Sequence, residues 1–174
     1  MKKLLSTLAL ALVFAGTANA QNSLVMPNNE TQQEKPTLEY KIEGNEVRTG
    51  NAVSFAKNSA EILPESDAAL NTIKKFLEDK SYISLLRVEG HVSCGKGDQG
   101  LSEARALAVC KWLVAQGVDC KRLLPVGFGC TKPITDANNE MNERITFVNA
   151  ALKGHAIGGM PVDGGGKVAE SGCE

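Results

Sequence analysis

One junction constrains this chain more than any other stretch. An apolar run of strand length over residues 83–88 is closed by Glu89, Gly90 and His91, and a helical stretch follows over 101–115. The first is too short for a stable helix and is rich in Leu, Ile and Val; the second is built of helix formers, with Ala104, Ala108, Trp112 and Ala115 at helical spacing. A strand, a loop and a helix in that order leave the loop and the helix start as the place for chemistry. Ser102 stands where an N-cap belongs, the free amide groups of a helix start attract anions, and Arg105 follows one turn in. A guanidinium there can hold a carboxylate through two parallel hydrogen bonds. The junction therefore reads as a carboxylate site, although spacing alone favours the plainer reading of a capping serine and a solvated helix arginine.

The alternation of short and helical patterns continues in both directions. Leu38, Tyr40 and Ile42 alternate with polar residues, Gly44 and Asn45 form a turn, and Val47, Val53 and Phe55 resume the period of two, which predicts a hairpin or two short strands. Pro64 suits the first turn of a helix that carries Leu70, Ile73 and Leu77 on one face and Lys74, Lys75, Glu78 and Asp79 on the other. Gly117 stops the helix that begins near 101, residues 123–128 read as another strand, and Ile145, Thr146, Phe147 and Val148 alternate as a closing one. Strands that alternate with helices need crossover connections, so the expected class is α/β (α+β), a mixed sheet with helices packed on it.

The ends read differently. Lys2 and Lys3, an apolar run over 4–14 and the small residues Ala18, Asn19 and Ala20 have the three-part form of a secretory signal. That run is shorter than the about 18 apolar residues of a membrane-spanning helix. Cleavage would start the mature chain at Gln21 with no membrane span, and no Cys stands near the cut to carry a lipid. The expected organisation is a signal peptide (1–20), a polar flexible lead-in (21–37), one domain (38–150) and a glycine-rich flexible tail (151–174).

A net charge of -1 leaves no electrostatic footprint for nucleic acid or anionic lipid. Five cysteines, at 94, 110, 120, 130 and 173, read as disulfides with one left over if the compartment is oxidising, and their connectivity is open. His91 and Cys94 lack a second ligand pair at metal spacing, so no metal site is expected. No nucleophile–base pair, paired carboxylates or phosphate loop marks an enzyme, and no cofactor is expected.

Four motifs carry a resemblance. Val88-Glu89-Gly90-His91, then Leu101-Ser102-x-x-Arg105-Ala106-x-x-Val109, then Gly117-Val118-x-x-x-Arg122-Leu123-x-x-x-Gly127-Phe128-Gly129, then Asn142-x-Arg144-Ile145 occur in this order. In that order and near that spacing they resemble the OmpA-like peptidoglycan-binding domain family, found at the C-terminus of OmpA and in Pal and MotB. The resemblance runs from about residue 52 to 148. It implies a βαβαββ fold and non-catalytic, non-covalent binding of diaminopimelate in the peptide stems of peptidoglycan. It also implies a place in the periplasm of a Gram-negative-type bacterium, associated with the outer membrane through a protein partner.

By position, Arg105 matches the family arginine that holds the ligand carboxylate, and Arg144 matches a second arginine that supports the site. The departure is on the loop. The family writes Gly-His-Thr-Asp, with the Asp taking the ligand ammonium, whereas this chain writes Gly90-His91-Val92-Ser93. A hydroxyl supplies no counter-charge, and the loss corresponds to about one or two factors of ten in affinity. The loop is also shorter, and Asp98 is its one carboxylate. Either Asp98 substitutes for the missing Asp, or the site has decayed and Asp98 is a solvated loop residue. The expected ligand-binding set is His91, Ser93, Asp98, Ser102, Arg105 and Arg144.

On the implied fold, Cys94 and Cys130 follow parallel strands that end on one rim, where a disulfide would pin both loops. Cys110, read as facing outward, would pair with Cys120 and leave Cys173 as a free thiol. Two function classes stay open: a peptidoglycan binder that anchors an envelope assembly, and a protein-interaction module on a degenerate form of the same fold.

Overall fold

The computed structural model describes residues 39–95, 98–136, 140–158, 164–170 and 173. All of them fall in one compact unit, Glu34–Glu174. The expected signal peptide (1–20) and the whole of the lead-in (21–37) lie outside the described residues.

Strands β1 (Tyr40–Glu43) and β2 (Glu46–Thr49) pair antiparallel around Gly44 and Asn45. Gly44 takes φ +61°, the left-handed conformation that the first position of a tight hairpin turn requires. The strand pattern then stops. Val53 and Phe55 pack against the core, but Phe55 makes only an isolated bridge to Ile62, and residues 55–62 fold back on themselves through Ala56 N–H to the Glu61 carbonyl at 2.9 Å. Period-two spacing here serves burial without a ladder. A 3-10 turn, Pro64–Ser66, leads into helix α1 (Asp67–Asp79), whose Leu70, Ile73, Phe76 and Leu77 are fully buried. Full burial of such side chains contributes about 1.5–3 kcal/mol each.

Strand β3 (Ile83–His91) is followed by helix α2 (Asp98–Ala115), strand β4 (Leu123–Gly127) and strand β5 (Arg144–Leu152). Two short strands close the chain, β6 (His155–Ala156) and β7 (Lys167–Val168). The sheet order is β1-β2-β5-β3-β4-β7, with β6 paired to β5. Among the described residues only β3 and β4 run parallel, so the sheet is mixed. Leu86 and Val88 of β3, Leu123 of β4 and Phe147 of β5 form one core with both helices. Because strand side chains alternate, Arg87, Glu89 and His91 point to the other face. No helix among the described residues is long and apolar enough to cross a membrane.

Three local expectations are corrected. Helix α2 begins at Asp98, so Ser102 lies inside it and is no N-cap. The buried stripe of α2 is Ser102, Arg105, Ala106, Val109, Cys110 and Leu113, rotated from the alanine positions that the sequence suggested. Ala104 and Ala115 are exposed and Ala108 and Trp112 half-buried, whereas Ala106, Val109 and Leu113 are fully buried in the core. The glycine-rich stretch after 150 is not free of structure: β5 runs to Leu152, and β7 adds to the edge of β4 with Ala169 N–H donating to the Pro125 carbonyl at 3.0 Å. An unpaired strand edge is a template for such addition.

Two glycines set how α2 sits. A Cβ on Gly90 would lie 2.1 Å from the Ser102 carbonyl oxygen, and one on Gly127 would lie 2.6 Å from the Glu103 backbone nitrogen. The first turns of α2 therefore rest directly on the ends of β3 and β4.

Candidate functional site

Arg105 projects from α2 into a pocket made by two connections remote in sequence, the 51–63 loop and the turn before β5. It is 3% exposed. Its Nε donates to the Ser59 carbonyl at 2.9 Å, its Nη1 donates to Glu143 Oε2 at 2.9 Å, and its guanidinium lies 5.0 Å from the Phe55 ring centroid. A guanidinium has five N–H donors. Among the described residues Nη2 has no partner. Arg105 lines a cavity of about 420 Å³ whose polar lining includes Lys57, Asn58, Glu140 and Glu143. That volume lies in the range of small-molecule sites. The cavity therefore presents one buried cation with open donors, a second cation and two carboxylates.

The other predicted residues go elsewhere. Ser102 is fully buried; its hydroxyl donates to the Gln99 carbonyl at 2.7 Å and accepts from Gly129 N–H at 2.8 Å, which fastens α2 to the chain after β4. Asp98 Oδ1 accepts from Gln99 N–H at 2.9 Å at the helix start. Its carboxylate and the sulfurs of Cys94 and Cys130 lie within 4.8 Å of one another. At about 1.5 Å rise per residue, seven residues put Asp98 roughly 10 Å from Arg105 along the helix axis. Neither Asp98 nor Ser93 lines the Arg105 cavity.

His91 is also away from the cavity. It is buried on the other face of the sheet, stacked on Phe128 with centroids 5.4 Å apart. Its Nε2 stands 3.5 Å from Glu89 Oε2, and neither ring nitrogen makes a hydrogen bond among the described residues. Burial pushes its pKa below the ordinary 6.5, with the Glu89 carboxylate pulling the other way. Burial also works to raise the Glu89 pKa, but His91, Arg87 and Lys132 outweigh it and hold that carboxyl below its ordinary value. Arg87 Nε donates to Glu89 Oε1 at 2.6 Å. Arg144 donates to the Lys132 carbonyl at 3.1 Å and the Asn142 carbonyl at 3.4 Å, bracing the connection between β4 and β5.

The cysteines pair in part as expected. Cys94 is joined to Cys130, with Cα atoms 5.0 Å apart, across the loops after β3 and β4. The second bridge joins Cys120 to Cys173, not to Cys110. Cys110 belongs to the buried stripe of α2, where its thiol is free and burial raises its pKa to about 12. It faces the core and so cannot reach Cys120 on the surface side. Cys94, Asp98 and Cys130 have the spacing of a metal-ligand group, but the two sulfurs are consumed in the disulfide.

Lys57, Asn58, Ser59, Glu140 and Glu143 were not singled out from the sequence, and Phe55 was read only as a strand residue. One signal was present: Glu143 is the open position of the Asn142-x-Arg144-Ile145 motif. Motif residues flanking it hold the turn, and the unspecified one touches Arg105.

The OmpA family's sequence profile matches residues 54–146, a little over half of the chain. The OmpA-like domain of FopA1 from Francisella tularensis is 26% identical, with a TM-score of 0.50 over 62% of this chain and 75% of that one. An outer membrane protein of Borrelia burgdorferi is 24% identical, with a TM-score of 0.51 over 64% and 95%. The periplasmic domain of Helicobacter pylori MotB is 21% identical, with a TM-score of 0.52 over 64% and 82%. No curated protein sequence is significantly similar to the chain. The profile match and the shared mixed sheet with its two helices place this chain in the OmpA family.

Proposed function

We propose that the chain is a non-catalytic peptidoglycan-binding protein that takes the diaminopimelate end of a peptide stem at the Arg105 cavity. It works in the periplasm and ties an envelope protein partner to the cell wall. The observation that carries this reading is the buried Arg105 guanidinium, held by Ser59 and Glu143 with Nη2 left for a ligand carboxylate. Because the side chain is already fixed, little rotamer entropy is lost on binding. Family membership and the periplasmic nature of the Helicobacter pylori MotB domain support the location.

Calorimetric titration with a diaminopimelate-containing muropeptide, with the lysine-containing equivalent as control, tests the reading. Wild type should bind the first and prefer it. Arg105→Ala should weaken binding by about 100-fold, the loss of roughly 2.7 kcal/mol of charge-assisted hydrogen bonding. Equal weak binding by both proteins ends the proposal.

A second reading, a docking module for another envelope protein, is favoured by Ile134 and Met141, which are 59% and 64% exposed on the connection between β4 and β5. Retention of the partner by Arg105→Ala, with no muropeptide bound by wild type, selects it.

A further inference from the structure

An amino-acid head group carries an ammonium as well as a carboxylate, and an anion clamp satisfies only half of it. The loop after β3 is poorly placed for the other half. Ser93 has no charge, and Asp98 lies by the Cys94–Cys130 bridge with one oxygen taken by Gln99 N–H. The two carboxylates that line the Arg105 cavity come instead from the connection before β5, Glu140 and Glu143.

Their backbone is well held. Glu140 opens the 3-10 turn Glu140–Asn142, and Glu143 N–H donates to its carbonyl at 2.9 Å. Asn142 is buried, and its Oδ1 accepts from Ile134 N–H at 2.9 Å and Thr135 N–H at 3.3 Å. Glu143 spends Oε2 on Arg105, while among the described residues Oε1 accepts no hydrogen bond, and the side chain is 38% exposed. One carboxylate thus touches the clamp on one side and has an open oxygen on the other. With Lys57 and Arg105 against Glu140 and Glu143, the cavity is charge-balanced. A balanced pocket favours a zwitterion over a simple anion, because each ligand charge finds a partner and neither is left desolvated alone.

We propose that Glu143, with Glu140 beside it, accepts the ligand ammonium, so that the acidic half of the head-group clamp sits before β5 and not on the loop after β3. This rests on the reading that the cavity takes an amino-acid-bearing peptide stem.

The test titrates the full chain with the diaminopimelate muropeptide and with the same muropeptide acetylated on its free side-chain amine. Glu143→Gln keeps an oxygen for Arg105 and removes the charge. Wild type should prefer the free amine by about tenfold. Glu143→Gln should lose about tenfold for the free amine and bind both peptides alike. Glu140→Gln, on an exposed side chain that makes no ion pair with Arg105, should lose about threefold of the preference, and serves if Glu143→Gln does not fold. Tighter or unchanged binding of the free-amine peptide by Glu143→Gln overturns the inference and makes Glu143 an internal competitor for Arg105, as does an unchanged amine preference in Glu140→Gln where that variant stands in. Wild type that binds the two peptides equally well overturns the inference but leaves the Arg105 site standing. Wild type that binds neither overturns both.

Discussion

Asp98 and Arg105 stand on the same helix two turns apart and share a face, yet their surroundings differ in kind. Asp98 is half-buried at the helix start beside a covalent bridge, with its carboxylate turned to a backbone amide. Arg105 is buried deeper, held by a backbone carbonyl and a carboxylate from two distant connections, and opens on a cavity. One region is fixed by a covalent link, the other by hydrogen bonds that a ligand can extend. Rigidity by itself therefore does not identify a binding site. What separates the two regions is a buried charge with donors left over.

Both regions hang from the close approach of α2 to β3, so the most severe test strikes them together. Gly90→Ala forces a Cβ to within 2.1 Å of the Ser102 carbonyl oxygen, a backbone atom that moves only with the helix. Overpacking of this sort costs about 3 kcal/mol. A urea melt should show that loss, and muropeptide affinity should fall with it. Replacing Cys94 and Cys130 by Ser acts on one region alone. Opening a bridge that spans 36 residues removes up to about 4 kcal/mol in the chain-entropy model, within the roughly 2 to 5 kcal/mol that losing a native bridge costs. Affinity at the Arg105 cavity should change less than about twofold, since neither Cys lines it. A large loss of affinity in this variant would break the comparison.

The pH dependence separates the sheet's other face from the cavity. Burial holds the folded His91 pKa below 6.5, so the unfolded chain takes up the proton first as pH falls. Stability is then full above about pH 6.5 and is lost as pH falls from there towards the folded value. Glu89 adds a second loss lower down, as pH falls from 4.5 through its depressed folded value. His91→Phe keeps a ring against Phe128 and should flatten the first limb in melts at pH 7.5 and 5.5, leaving muropeptide affinity at pH 7.5 unchanged. The mildest change is Asp98→Ala. It removes a carboxylate from a helix start, worth below about 1 kcal/mol, and should alter affinity less than about twofold. A tenfold loss would return the ammonium to the loop after β3.

Much of the fold was legible because its signals are local. The hairpin turn at Gly44, the faces of α1, the span of β3 and the stop at Gly117 follow from patterns within a few residues. The stripe of α2 was misread because alanines are equally at home on an outer face, and what faces inward is set by the partner surface. The strand expected at Val53 and Phe55 failed for the same reason: alternation records burial, and only a free neighbouring edge converts it into a ladder. The second cysteine pair was missed because β7, at the edge of β4, lies in the same C-terminal stretch as Cys173, which is bonded to Cys120, and a glycine-rich stretch carries no periodic signal of that pairing.

The sequence by itself determined the order of elements and the membership of the family, and it pointed to the arginine of the proposed site, since each is written in residue type and short-range spacing. Only the tertiary structure decided which carboxylates meet that arginine and which cysteines meet each other. Glu143 is 38 positions from Arg105, and Cys173 is 53 from Cys120. Meetings at that range depend on the twist of the sheet and the reach of the connections, which no local pattern encodes.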